Sequence, residues 1–247
     1  MKLALIGRGA MGRLVERLAR EGGHEVATVL GSRESAFQTG ELAKILGGHD
    51  AAIDFTVAEA VPRHAEACAL ARVPLVEGTT GWHARLEDVR GAVERRNGAL
   101  IYGANFSVGV NLFYRVVARA AELFSRVDYA AFVEEAHHSR KRDAPSGTAI
   151  QLRDIVADAY GSEVPVASTR AGHIPGTHRV GFDSAADNVT LTHTARSREG
   201  FAAGALVAAR WIQGRTGVYE FSETLGEILK EGVQKPDRQG GREKAEG

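Results

Sequence analysis

Apolar residues alternate between two spacings along roughly the first hundred positions. Residues 2–6 (KLALI) form a short continuous apolar run, the mark of a strand buried on both faces. Residues 13–21 place Leu14, Val15, Leu18 and Ala19 on one helical face, which Gly22 and Gly23 bring to an end. The strand pattern returns at 24–30, 51–55, 73–76 and 99–106, and the helical pattern at 61–71 and 83–96. Short buried strands separated by helices predict a parallel sheet covered on both faces.

Beyond residue 105 the order changes. Residues 110–124 carry the spacing of a long helix, 128–136 of a strand, and 147–160 of a helix begun by the Ser146-Gly147 turn. Residues 178–182 and 188–195 alternate apolar with polar side chains, which predicts antiparallel strands with one solvated face. An amphipathic helix follows at 199–213, with Phe201, Ala205, Leu206, Ala208, Ala209 and Ile212 on its apolar side, then a last helix at 222–230. The expected fold is α/β. A Rossmann-type doubly wound parallel sheet spans 1–105 and 218–232, and an α+β domain spans 106–217. The tail 233–247 is almost free of apolar residues and is expected to be disordered.

Composition narrows the function classes. The 247 residues are 44% hydrophobic, enough for one large or two modest cores. The 31 basic and 31 acidic residues cancel, so nothing draws the whole chain to nucleic acid or an anionic membrane. The single cysteine, Cys68, cannot form an internal disulfide and lies in an apolar helical run. No apolar run approaches the ~20 residues of a membrane span, and the chain opens directly on a strand pattern, so a cytoplasmic protein is expected.

Two stretches carry chemistry. In 3-LALIGRGAMGRLVERL-18, Gly7, Gly9 and Gly12 form a GxGxxG between a strand and a helix, the context in which it binds a dinucleotide. Gly7 permits the turn, Gly9 lets backbone approach a pyrophosphate, and Gly12 lets helix pack on strand. Arg8, Ala10 and Met11 share the loop. The second strand ends in 29-VLGSRE-34, with Gly31 and Ser32 where an acid would favour NAD, and Arg33 next. That leans toward the 2′-phosphate of NADPH, with NADH the alternative. Gly78, Thr79 and Thr80, and Ala104, Asn105 and Phe106, follow later strands and are candidates for the nicotinamide side.

The other stretch is 134-EEAHHSRKRDAPSGTA-149. On a strand, His137 and His138 face opposite sides, so one meets a cleft and the other its rim. Imidazole exchanges protons near neutral pH, and Lys141 can hold a carboxylate or give a proton. The turn at Ser146, Gly147 and Thr148 starts a helix whose free N–H groups make an anion cradle. The set suits a small polyanion that is protonated as hydride arrives. No metal is expected, because adjacent strand histidines chelate poorly and no HxH, HxxxH or cysteine pair accompanies them.

At these residues the chain closely resembles the 4-hydroxy-tetrahydrodipicolinate (dihydrodipicolinate) reductase family of lysine and diaminopimelate synthesis. The resemblance runs over about 2–229 and rests on IGRGAMGR, EGTTG, GANFSVGVN, EEAHHSRKRDAPSGTA and 195-ARSREGFAAGALVAARW-211. It implies an oxidoreductase using NADPH or NADH on a cyclic dicarboxylate. His137 would exchange the proton, Lys141 would be a second donor, and His138, Gly147 and Thr148 would contact substrate. It also implies dinucleotide contacts from Gly7 to Gly12, from Gly78 to Thr80 and from Ala104 to Phe106. The second domain would bind substrate and assemble a homotetramer through its sheet. The glycine loop is the shorter of the family's forms, and Gly31-Ser32 replaces an acid-containing pair that members often carry. Two other readings are a dinucleotide-binding sensor without turnover and a related dehydrogenase of another amino-acid precursor.

Overall fold

The computed structural model describes residues 1–232. The expectation for 233–247 lies outside the described residues. Strands β1 (Lys2–Ile6), β2 (Glu25–Leu30), β3 (Ala51–Asp54), β4 (Leu75–Glu77), β5 (Ala99–Tyr102) and β10 (Gly217–Glu220) form one parallel sheet in the order β10-β5-β4-β3-β1-β2. Side chains alternate across it. Leu3, Leu5, Ile53 and Ile101 pack with helices α1 (Ala10–Glu21), α7 (Glu199–Trp211) and α8 (Phe221–Gly232). Ala4, Ile6, Ala52, Leu75 and Leu100 pack with α2 (Thr39–Leu46), α3 (Val61–Ala71) and α4 (Leu86–Glu94). With both faces covered, the strands need apolar residues at every position, which is why KLALI reads as a run.

The second sheet runs β7-β6-β8-β9, from β6 (Ala130–His137), β7 (Val166–Arg170), β8 (Thr177–Asp183) and β9 (Asn188–Thr194). The β8/β9 pair is antiparallel as expected; β6 also pairs β8 antiparallel, and β7 pairs β6 in parallel. Helices α5 (Val108–Phe124) and α6 (Gly147–Tyr160) cover one face, with Val133, Val180 and Phe182 packed against Val117, Ala121, Leu152 and Val156.

Three elements escape the sequence pattern. Helix α2 is short and flanked by glycines, and it is started by a capping box between Gln38 and Glu41. Strand β7 is an edge strand with mostly exposed side chains, and β10 is only four residues long. Helix α7 belongs to the first core, although 106–217 were expected together in the second domain. Its Ala202, Ala205, Ala208 and Ala209 are buried in the first core, and the helix packs on β3 and β4. Small side chains allow that approach: a Cβ on Gly204 would meet the Phe106 carbonyl oxygen at 1.7 Å. Helix periodicity shows an apolar face but not which sheet it meets.

Candidate active site

The carboxyl ends of the parallel strands present their loops in sheet order. After β2 come Ser32 and Arg33, after β1 Gly7 to Gly12, after β3 Phe55 and Thr56, after β4 Gly78 to Thr80, and after β5 Ala104 to Phe106. The row crosses the point between β1 and β3 where the winding reverses, the usual ligand position in such sheets. A cleft there is lined by Gly9, Ala10, Met11, Phe55, Gly78 and Thr80.

The glycine loop fits a dinucleotide by its own geometry. Gly7 takes φ +105°, and a Cβ there would strike the Phe55 carbonyl oxygen at 2.4 Å. A Cβ on Gly12 would stand 2.0 Å from the Gly7 carbonyl oxygen, so α1 can start here only on glycine. A Cβ on Gly9 would meet nothing within 4 Å and would project into open space instead. Helix α1 has no side-chain cap and no acid in its first turn, leaving its N–H groups for an anion.

At the end of β2, Ser32 and Arg33 are exposed, as is Arg8. The Glu34 carboxylate turns back to accept from the Gly31 N–H at 3.0 Å. Its own and the Gly31 backbone N–H hold its pKa below the ordinary range, with Arg8 and Arg33 adding to the effect. Among the described residues, neither arginine forms an ion pair.

A larger cavity of about 700 Å³ adjoins this cleft and shares Thr80 with it. It is lined by residues of both cores, among them Asn105, Tyr114, His137, Lys141, Gly147 and Thr148. His137 ends β6. Its Nδ1 is hydrogen-bonded to Glu135 Oε2, and the other Glu135 oxygen accepts from Arg170 Nη2 at 2.6 Å. The same Arg170 nitrogen also donates to the Asp143 carbonyl at 2.6 Å. One guanidinium thus ties the partner of His137 to the loop that carries Lys141. Lys141 Nζ lies 2.9 Å from Asp143 Oδ2.

Burial pushes the Glu135 carboxyl up, but hydrogen bonds from Arg170, Ser168 and His137 outweigh it and hold the pKa at about 2. Burial lowers the pKa of His137, and the Glu135 contact opposes that shift. With Nδ1 engaged, Nε2 is the atom free for proton exchange. His178 stands across from Glu135 on β8, its ring centre 5.1 Å from that of His137. Burial, then the charge of His137, lower its pKa to about 4, so it is neutral near pH 7. Its Nε2 is 3.1 Å from the Ser146 hydroxyl, which also caps α6 by accepting from the Ala149 N–H. The Gly147 position is open, with nothing within 4 Å of a Cβ there, so the α6 N-terminus faces the cavity unobstructed.

The structure therefore brings His137, Lys141, Gly147, Thr148 and Asn105 around one cavity. His138 is not among its lining residues; it contributes a carbonyl that accepts from the Lys141 N–H at 3.0 Å. Alternation at the end of β6 explains the difference between the two histidines. Ser32 and Arg33 stand apart from the cleft lining. Glu135 lies in the EEAHHSRKRDAPSGTA stretch without an assigned role, and Arg170, Gly176 and His178 lie outside both motifs. The period of two along β6 could have suggested Glu135 as a neighbour of His137; nothing local marks the others.

Glu135, His137 and His178 each bring one possible ligand atom within 4.8 Å of the others, a grouping that reasoning from adjacent histidines did not foresee. The Glu135 carboxylate is already engaged by His137 and by the Arg170 cation, which disfavours a second cation beside it.

Known proteins match over most of the chain. Residues 1–106 fit the model for the dihydrodipicolinate reductase N-terminus and 109–225 that for its C-terminus. A 4-hydroxy-tetrahydrodipicolinate reductase of Christiangramia forsetii is 33% identical over 93% of this chain and 100% of its own. One of Anaeromyxobacter dehalogenans is 39% identical over 75% and 76%. The fold matches a dipicolinate-bound dihydrodipicolinate reductase of Paenisporosarcina sp. TG-14, with TM-score 0.75 and 22% identity over 89% of this chain and 97% of that one. The chain belongs to the dihydrodipicolinate reductase family.

Proposed function

We propose that this protein reduces 4-hydroxy-tetrahydrodipicolinate to tetrahydrodipicolinate with a nicotinamide dinucleotide. The observation that carries the reading is the continuity of a glycine-loop cleft with a cavity holding His137 and Lys141, in a chain of this family. The loops from Gly7 to Gly12, Gly78 to Thr80 and Ala104 to Phe106 would hold the cofactor, which supplies the hydride. The open α6 N-terminus at Gly147 and Thr148 seats one substrate carboxylate, with the helix N–H groups as donors. Lys141 holds charge on the same substrate and supplies a proton. His137, oriented by Glu135 through Nδ1, exchanges a proton at Nε2. Tyr114 and His178 narrow the cavity around these groups. A sensor without turnover would have no use for a carboxylate-oriented histidine facing the cleft.

NADPH is the favoured cofactor in this reading, because Arg8 of the glycine loop and Arg33 after β2 form no ion pair among the described residues and Glu34 is turned back onto Gly31. The uncovered face of the second sheet, with Phe132, Glu134, Arg179 and Thr192, is the surface through which a homotetramer would assemble. The expected setting is cytoplasmic; no helix among the described residues is long and apolar enough to cross a membrane.

The test is consumption of NADPH with freshly formed substrate. His137→Gln and Lys141→Met are each expected to lower kcat by about 100-fold or more, with NADPH affinity retained. Arg33→Ala is expected to weaken NADPH about tenfold more than NADH. Folded protein that binds NADPH but turns over no substrate would overturn the reading.

A further inference from the structure

Beneath the cofactor loops lies a group of ionisable side chains that no step above uses. Asp54 ends β3, Glu77 ends β4 and His64 lies on α3, all with no exposed surface. His64 Nδ1 is hydrogen-bonded to Asp54 Oδ2 over 2.6 Å, and its Nε2 donates to the Ser35 carbonyl over 2.9 Å. A carbonyl oxygen can only accept, which fixes the direction of the Ser35 bond. Glu77 Oε1 accepts from the Thr79 N–H at 2.7 Å, while Glu77 Oε2 and Asp54 Oδ1 have no partner. Burial, then the charge of Asp54, push the Glu77 carboxyl well up. These ionisable groups persist in an apolar interior because they pair and hydrogen-bond with one another and with backbone.

The cluster is joined to three loops of the cofactor cleft. Ser35 belongs to the segment after β2 that carries Ser32 and Arg33. Asp54 precedes Phe55 and Thr56, and the Thr56 N–H donates to Thr79 Oγ1 at 3.0 Å. Glu77 precedes Gly78 and Thr79. Arg63, one residue before His64, also donates to the Ser35 carbonyl at 3.0 Å. Apolar side chains could fill the same space at no loss of stability. Hydrogen bonds, unlike apolar packing, fix direction, and two of them converge on one carbonyl in the loop of Ser32 and Arg33.

We propose that His64 is a positioning residue that holds the 31–37 loop through the Ser35 carbonyl and thereby sets discrimination for the 2′-phosphate of the dinucleotide. The inference rests on the cleft being the dinucleotide site.

Two substitutions separate the two bonds of the ring. The amide nitrogen of His64→Asn stands in for Nδ1 and keeps the Asp54 bond; that of His64→Gln stands in for Nε2 and keeps the Ser35 bond. Dissociation constants for NADPH and NADH, read by cofactor fluorescence, are compared with kcat at saturating cofactor. H64N is expected to shift the NADPH-to-NADH affinity ratio toward NADH about fivefold, with kcat within about twofold. H64Q is expected to restore the ratio. Arg63→Gln, on a partly exposed side chain, should shift it the same way by a smaller factor and serves if H64N does not fold. An unchanged ratio in both H64N and R63Q, or equal weakening of both cofactors, would overturn the proposal. Wild-type protein that binds neither dinucleotide, or whose ratio is insensitive to Arg33→Ala, would instead overturn the cofactor reading beneath it.

Discussion

Gly176 faces the Nε2 edge of His137: a Cβ built there would stand 3.1 Å from Nε2. The glycine also takes φ +137°, a region that L side chains rarely enter. The residue thus keeps the ring edge open to the cavity, and neither property is visible in the flanking sequence.

Gly176→Ala is expected to lower kcat/KM by about tenfold or more and to cost about 1–3 kcal/mol of stability, while NADPH affinity stays within about twofold. Steady-state kinetics beside cofactor titration check it. Equal losses in both would place the effect on the whole fold.

Glu135→Gln keeps the shape of the side chain and one acceptor oxygen, turns the other position into an NH2 donor, and removes the charge that raises the His137 pKa. If protonated His137 is the donor, kcat/KM falls as pH rises through its pKa. That fall should move to lower pH by about one unit in the variant. A pH–rate profile at constant ionic strength reads the shift, and an unmoved limb would remove Glu135 from the proton chemistry.

His178 gives stability a second pH dependence. Unfolded, its ring takes a proton below about pH 6.5; folded, it resists until about pH 4. Stability is therefore lost as pH falls through that window, about 2 kcal/mol of it between pH 7 and pH 5. Glu135 acts lower: its contribution is present above about pH 4.5 and lost toward pH 2. Urea denaturation at pH 7 and pH 5 should show the first loss in the wild type and a smaller one in His178→Gln.

Gly9 and Gly12 should fail differently. Gly9→Ala adds a methyl to open space, so the melting temperature should hold while cofactor affinity drops by about tenfold. Gly12→Ala drives a methyl into the Gly7 carbonyl, so the melting temperature itself should fall by several degrees. Differential scanning calorimetry and cofactor titration of both variants distinguish the two roles.

Much of this molecule is legible locally. The run KLALI, the GxGxxG after it and the helical spacing of 13–21 specify a tight glycine βα turn, because every residue involved is a near neighbour in the chain. EEAHHSRKRDAPSGTA likewise announces a histidine, a lysine and a helix N-terminus, and alternation along β6 separates His137 from His138. Helix α7 was legible as a helix but not as part of the first core, since its alanine face matches either sheet.

The sequence by itself determined the alternation of elements, the glycine loop and the acid–base stretch, because each depends on spacing within one segment. Only the tertiary structure decided which groups act on them. Arg170 reaches Glu135 from the neighbouring strand, His178 meets Ser146 from β8, and His64 reaches Ser35 from α3. These pairs are 35, 32 and 29 residues apart, and no local periodicity encodes a contact made by strand register and helix packing.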